Sequence, residues 1–369
     1  MARRKLPPPL FQYIEGGADD ESNVTGNTTA FGKVDLVPEF LMDVANIDLS
    51  TRILGRDISM PLFLSPTGMS GMFHHQGEVA VSKAAAAAGT YYSLSTLGST
   101  TIEDVAKVCN GPKNFQIYVM KDRGLTREFI QRCKDAKFDA LTLTVDVPAA
   151  GYRERELRYG FTLPPKLTLS GLAGFALKPA WVYHHLRRPA PQLANVAHKI
   201  KEGSEESSSL MTYVKHQFDP SVTWDDMEWM IDEWGGPFAI KGILSPADAR
   251  KAVNIGASAV MVSNHGGRQL DGCLSAFDAL SAIAQEVGGE CEIICDGGIR
   301  RGTHVLKALA CGANACSMGR PYLYGLAAGG EAGVAKALQL LKAELEIGMA
   351  LLGCRTVSEI ASRHCVRKQ

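Results

Sequence analysis

The feature that most constrains this chain is a repeated unit in which a short apolar, β-branched run precedes an amphipathic stretch of helix length. Runs at 62–65, 91–95, 115–119, 141–146, 238–241, 257–263, 292–296 and 315–318 read as strands. Helices are expected at 78–88, 101–108, 125–136, 224–234, 246–255, 276–287, 302–310 and about 326–352. At Ser245-Pro246 a hydroxyl acceptor stands at a helix start with proline in the first turn. Strands that alternate with helices form a parallel sheet, because a parallel neighbour needs a crossover connection. Eight such units predict closure into a (β/α)8 TIM barrel of class α/β. The doubly wound sheet is the weaker reading, since no GxGxxG follows the first strand.

One connection breaks the rhythm. About 90 residues, 147–236, separate the fourth strand from the fifth, far more than a loop and one helix require. The chain is therefore expected to be one barrel domain, 1–369, with a long insertion after strand 4. Within 165–215 lie LTLSGLAGFALKPAWVYHHLRRPAP (167–191) and the polar tract KEGSEESSS (201–209). The first mixes Trp181 and Tyr183 with His184, His185, Arg187 and Arg188, a composition suited to peripheral contact with a membrane. A barrel-capping excursion or subunit contact suits it equally well. The second is expected to be mobile.

Lysine plus arginine balance aspartate plus glutamate at 39 each, which points away from nucleic acid. The cysteines number nine, form no CxxC pair and fall largely in apolar runs, as free thiols of a reducing compartment do. The opening MARRKLPPPLFQYIEGG lacks the apolar core of a signal peptide. A cytoplasmic protein is expected, peripheral on the membrane if 167–191 makes that contact.

In a barrel of this kind chemistry sits at the C-terminal strand ends. Polar residues gather there: Thr67, Ser95, Gln116 and Tyr118, Thr144 and Asp146, Lys241, then Ser263-Asn264-His265-Gly266-Gly267-Arg268. DGGIRRG (296–302) and MGRP (318–321) follow the last two strands, where barrels often hold phosphate. Gly297, Gly298 and Gly319 let an anion approach the backbone, and Arg300 and Arg320 supply charge. FMN or a phosphorylated substrate would satisfy such a site. His265 can take a proton near neutral pH, and Asp146 across the mouth could orient it. Lys241 ends an apolar strand and calls for a negative partner, which a reduced flavin would supply.

SNHGGRQLDG, LTLTVDVP followed by GYRERE, LSPTG, FQIYV, IKG and DGGIRRGTHVLKALACGA with GRP together resemble the FMN-dependent L-2-hydroxy-acid oxidase/dehydrogenase family. The resemblance covers nearly the whole chain. GYRERE and RRPAPQLAN look most like its bacterial mandelate and lactate dehydrogenases. It implies FMN as cofactor, a 2-hydroxy acid as substrate, oxygen or a quinone as electron acceptor, and a homotetramer. It implies His265 as base, oriented by Asp146, with Tyr118 on the substrate oxygen. Arg153 and Arg268, with Tyr13, would bind the substrate carboxylate. Thr67, Gly68, Ser95, Gln116, Thr144 and Lys241 would hold the isoalloxazine. Ser263, Asp296, Gly298, Arg300, Gly319 and Arg320 would hold the ribityl chain and phosphate. Whether a hydride or a carbanion path is followed stays open. So do the rival readings of an isomerase-type FMN barrel and a non-catalytic flavin sensor.

There are departures from the pattern. Leu97 stands where glycolate-oxidising members carry tryptophan, Gly68 where several oxidases carry alanine, and Ala149 and Ala150 replace larger residues. These changes predict a pocket for a bulky, mandelate-like side chain. Few residues precede Tyr13, so the leading helix of many members is not expected.

Overall fold

The computed structural model describes residues 1–160, 174–187, 192–199 and 217–368. Eight strands run β1 Leu62–Thr67, β2 Tyr92–Ser95, β3 Lys113–Tyr118, β4 Ala140–Thr144, β5 Phe238–Ile243, β6 Ala259–Ser263, β7 Glu292–Asp296 and β8 Ala315–Met318. They pair in parallel and in chain order, and β8 pairs back onto β1 to close the barrel. Each is followed by a helix on the outside: α1 Gly77–Ala87, α2 Ile102–Val108, α3 Arg123–Asp135, α4 Asp225–Trp234, α5 Pro246–Asn254, α6 Ala276–Val287, α7 Gly302–Ala310 and α8 Arg320–Leu352. Ser245 caps α5 as expected, its hydroxyl accepting from Asp248 N at 3.1 Å, with Pro246 in the first turn.

Alternation along the strands explains where the polar groups go. Successive side chains point to opposite faces, so every second residue enters the barrel. Toward the N-terminal ends these are Phe63, Ala140, Ala239, Ala259, Met261, Ile294 and Ala315, a buried cluster completed by Ile53, Leu54 and Ile58. Those three lie on or beside an antiparallel hairpin, Thr51–Ile53 with Arg56–Ile58, that plugs this end. Tyr91 donates to Leu54 O at 2.8 Å, and Leu54 N donates to Glu292 at 2.7 Å. A middle layer is polar and largely internally bonded, Asn114 donating to Ser93 at 3.1 Å and Thr142 at 2.7 Å while its Oδ1 finds no partner among the described residues. Ser65, Ser95, Gln116, Lys241, Ser263, Asp296 and Ser317 follow toward the C-terminal ends, all buried. One barrel thus grades from a dry plug to a polar floor.

The helices at the two ends of the chain differ from the sequence reading. Helix α8 begins at Arg320 rather than near 326, because Pro321 in its first turn is helix-compatible and Gly319 supplies the cap. It also breaks at Gly329 and Gly330, the latter at φ 60°, where a Cβ would stand 2.2 Å from Gln76 Oε1. The N-terminal segment is helical, over Ala2–Lys5 and Pro8–Glu15, with Leu6, Leu10 and Ile14 buried. A leading helix is therefore present. Pro7 and Pro8 obscure it in the sequence, although proline fits the first turn well.

Of the 147–236 connection, helices Glu154–Arg158 and Pro179–Leu186 are described. The second docks through Trp181, whose Nε1 donates to Met72 O at 2.9 Å, and through His185, stacked on Trp181 and bonded to Gly71 O. Residues 161–173, 188–191 and 200–216, which hold much of the expected membrane-interface and mobile stretches, lie outside the described residues.

Candidate active site

His265 follows β6 in the left-handed conformation, at φ 57°, with Gly266 and Gly267 also left-handed behind it. A non-glycine residue there is strained, and the surroundings hold it. Its N–H donates to Ser263 Oγ at 3.1 Å, and Gly267 N donates to Asn264 Oδ1 at 3.1 Å. Asn264 is locked in turn by a reciprocal amide pair with Asn27, at 2.8 and 2.9 Å. The curl aims the imidazole into the mouth of the barrel, where it lines a cavity.

Asp146 sits two residues past β4, and its Oδ1 lies 2.9 Å from His265 Nδ1. Burial pushes the Asp146 carboxyl up, but neighbouring His265, which also hydrogen-bonds it, and the charge of Lys241 outweigh burial and hold it below the ordinary carboxylate value. Burial lowers the pKa of His265, against the opposing pull of Asp146, so the imidazole is neutral near pH 7. With Nδ1–H donated to the carboxylate, Nε2 keeps a lone pair available to the cavity.

Arg268 and Arg153 share this cavity with Tyr13, Tyr118, Leu97, Gly68 and Ala150. Arg268 donates to Tyr13 O at 2.7 Å, Gly16 O at 3.0 Å and Glu156 at 2.8 Å, and its guanidinium lies 4.5 Å over the Tyr13 ring. Arg153 donates to Arg268 O and Gln269 Oε1, both at 3.2 Å. Tyr118 packs edge-on against Phe218, and burial raises its pKa, so it stays a protonated donor. Gly68 faces Leu97, whose Cβ would stand 3.1 Å from a Cβ added at 68. Ala149 departs from expectation: it is exposed, and its carbonyl accepts from Gln269 at 2.9 Å instead of facing the cavity.

The cavity floor is the polar end of the barrel. Lys241 is 4% exposed, which excludes a surface lysine. Its negative partner is Asp296, at 3.1 Å, rather than a flavin alone. Asp296 also accepts from Ser65 at 2.6 Å, Ser317 at 2.5 Å and Ser263 at 2.7 Å. Burial raises its pKa, yet Lys241 and these hydroxyls bring it down to about 2. Thr67 bonds Tyr322 at 2.5 Å, and Ser95 donates to Gln116 Oε1 at 2.9 Å. Gln116 Nε2 and Thr144 Oγ1 remain buried with no partner among the described residues. A buried donor without an acceptor costs about 1–3 kcal/mol, so both atoms fit a polar ligand seated on this floor.

At the far end Gly297, Gly298, Arg300, Gly319 and Arg320 border the same cavity. Gly298, at φ 74°, has Asn27 O where a Cβ would stand, so no other residue fits. Arg320 is less free than expected. Its guanidinium donates to the carbonyls of Ile14 at 2.8 Å, Gly266 at 2.9 Å and Gly16 at 2.8 Å. Burial, then the charges of Arg268 and Arg300, lowers its pKa. Three mutually repelling guanidiniums beside a helix N-terminus form a site that an anion would relieve. These features suit FMN: unpartnered amide and hydroxyl groups for a flavin ring, and glycines with arginines for a phosphate.

Asp146 and Ser263 bond His265 and Lys241, which line the cavity, while Ser95, Gln116 and Thr144 belong to the buried polar end of the barrel without lining the cavity themselves. Ser65, Ser317, Gln269 and Glu156 were not singled out from the sequence. For Glu156 a signal existed, since it follows Arg153 by three residues in GYRERE, a spacing that pairs side chains on a helix.

The comparisons agree with this geometry. A family model described as FMN-dependent dehydrogenase matches residues 2–367. The L-lactate oxidase of Nostoc sp. is 43% identical over 366 residues, covering 98% of this chain and 94% of that protein. The L-lactate dehydrogenase of Ectopseudomonas mendocina is 41% identical over 369 residues, covering 100% and 97%. Among solved structures, a monotopic membrane protein, (S)-mandelate dehydrogenase, superposes with a TM-score of 0.94 at 36% identity, covering 100% of this chain and 97% of that one. On fold, site and sequence together, the chain belongs to the FMN-dependent dehydrogenase family, with FMN as its cofactor.

Proposed function

We propose that this protein, as one FMN-binding barrel domain, oxidises an L-2-hydroxy acid of mandelate-like or lactate-like size to the 2-keto acid. The observation that carries the reading is the His265–Asp146 pair at 2.9 Å, in a cavity shared with two buried arginines. Bound FMN accepts the two electrons that leave the substrate. Thr67, Gly68, Ser95, Gln116, Thr144 and Lys241 would hold its ring, and Ser263, Asp296, Gly298, Arg300, Gly319 and Arg320 its ribityl phosphate.

Arg153 and Arg268 hold the substrate carboxylate, a planar anion suited to guanidinium forks. Tyr13 adds a further donor at the carboxylate, and Tyr118 donates to the substrate oxygen. His265 Nε2 takes the proton, and Asp146 stabilises the imidazolium that forms. Lys241 offers a fixed positive charge where negative charge would develop. Leu97, Gly68 and Ala150 leave room for the substrate side chain, which favours a bulky acid.

The visible spectrum of the purified protein, taken anaerobically with (S)-mandelate, L-lactate or glycolate, tests this reading. Bleaching by a 2-hydroxy acid, fastest with mandelate, is expected, and His265→Ala should keep FMN and lose bleaching. Flavin that stays oxidised with every acid would overturn it. Admitting air then separates oxygen from a quinone as acceptor.

Peripheral membrane contact is part of the proposal. Leu177 and Leu186, at 77% and 81% exposed, flank a half-exposed Tyr183 that carries Arg187 over its ring, a surface suited to a lipid headgroup layer. No helix among the described residues is long and apolar enough to cross a bilayer. Flotation with anionic vesicles tests the contact, and sedimentation tests the proposed homotetramer.

A further inference from the structure

The two arginines assigned to the substrate carboxylate already face a carboxylate of their own chain. Glu156 Oε1 lies 2.8 Å from Arg268 Nη2 and 3.7 Å from Arg153 Nη1. The side chains of Arg268, Arg153 and Glu156 are only 15%, 18% and 14% exposed. Other N–H groups of both guanidiniums are committed elsewhere: Arg268 Nη1 to Tyr13 O and Gly16 O, Arg153 Nε to Arg268 O and Nη2 to Gln269. A single glutamate oxygen therefore sits in the notch between the two cations. Glu156 reaches that notch because it lies on the short helix Glu154–Arg158, directly after Arg153.

Two guanidiniums this close and this buried repel one another, and an unpaired pair would be costly. Glu156 offsets one of the two charges and leaves the pair with a single positive charge. An incoming monocarboxylate brings the group to neutrality. Substrate and keto-acid product carry the same carboxylate, so an uncompensated pair would bind both more tightly. Such uniform binding lowers KM without speeding the chemical step, and it holds product back.

We propose that Glu156 is a resident counter-carboxylate that sets the anion affinity of the Arg153–Arg268 pair. It keeps both side chains aligned in the empty site and weakens the hold on substrate and product alike. The inference rests on the reading of Arg153 and Arg268 as the carboxylate anchors. Glu156 itself is a positioning and affinity-setting residue, since it acts through the arginines.

The test is oxalate binding to the holoenzyme, followed by the flavin absorbance change, in the parent and in Glu156→Gln, Glu156→Asp, Arg153→Lys and Arg268→Lys. Glutamine keeps an acceptor for Arg268 and removes the charge, so the oxalate Kd should fall roughly tenfold. KM and kcat for the 2-hydroxy acid should then fall together. Glu156→Asp retains the charge and should stay within about twofold of the parent. A merely structural role predicts the opposite sign, weaker binding in every Glu156 variant. An unchanged or raised Kd in Glu156→Gln, or equal tightening in Glu156→Asp, overturns the proposal. If either arginine variant weakens oxalate about tenfold in that case, the anchor reading survives alone. If neither does, the anchor reading fails and takes the proposal with it.

Discussion

Asp146 Oδ1 stands 2.9 Å from His265 Nδ1, joining the loops after β4 and β6 across 119 residues of chain. This contact fixes the imidazole tautomer and supplies the charge that supports protonation at Nε2. Asp146→Asn should leave FMN bound and lower the rate of flavin reduction by about 10²–10⁴-fold, the scale seen when such an orienting carboxylate is lost.

The pH profile follows from the same pair. His265 is the base, and burial lowers its pKa below the ordinary 6.5 despite Asp146. The neutral form therefore dominates at pH 7, and kcat/KM should fall only as pH drops through that lowered value. Removing the Asp146 charge withdraws a force that raises this pKa, so the acid limb in Asp146→Asn should lie at still lower pH. Stopped-flow reduction between pH 4.5 and 8 reads both, and an acid limb above 6.5 in the parent would contradict the assignment.

Asp296→Asn should destabilise the protein by about 3–5 kcal/mol at pH 7, because it strands Lys241 as a buried charge. The Asp296 pKa is about 2 in the fold, below the roughly 3.9 of an unfolded aspartate. Its contribution is therefore complete above about pH 4 and is lost as pH falls through about 2. Urea unfolding of parent and variant should show a gap that narrows as pH is lowered through this window.

Gln116→Leu and Thr144→Val should separate cofactor binding from folding. Thr144→Val removes only a buried hydroxyl without a partner among the described residues, so the FMN-free protein should be unchanged or more stable, whereas Gln116→Leu also takes away the acceptor of Ser95 Oγ and should cost about 1–3 kcal/mol. The holoprotein should bind FMN more weakly, by about 1.5 kcal/mol or a little over tenfold per lost hydrogen bond. Fluorescence titration of apoprotein with FMN, beside thermal unfolding of both forms, checks the two directions together.

Gln269 uses its whole amide, donating to Asp146 O at 2.8 Å and Ala149 O at 2.9 Å, and accepting from Gly151 N and Arg153 at 3.2 Å. Gln269→Glu replaces both donors with an acceptor and should unseat the 146–153 loop. KM should rise about tenfold or more and kcat fall less, because the carboxylate anchor moves further than the base. Steady-state kinetics with a 2-hydroxy acid gives the split directly.

The sequence by itself determined the eight-strand barrel and the placement of polar residues at its mouth. Both follow from local rules, the alternation of short apolar runs with helical periods and the two-residue repeat of a strand. His265, Arg268, Arg300 and Gly298 were legible because glycine-flanked polar residues after a buried strand have few structural uses. Tertiary structure decided which charges meet. Asp296 rather than a flavin alone answers Lys241, Arg320 spends its donors on the carbonyls of the N-terminal segment, and Glu156 fills the notch between Arg153 and Arg268. Each of these joins a side chain to a group on an element far away in the chain. Strand closure and the left-handed turn at His265 set their separations, and a one-dimensional pattern encodes no distance between residues so far apart.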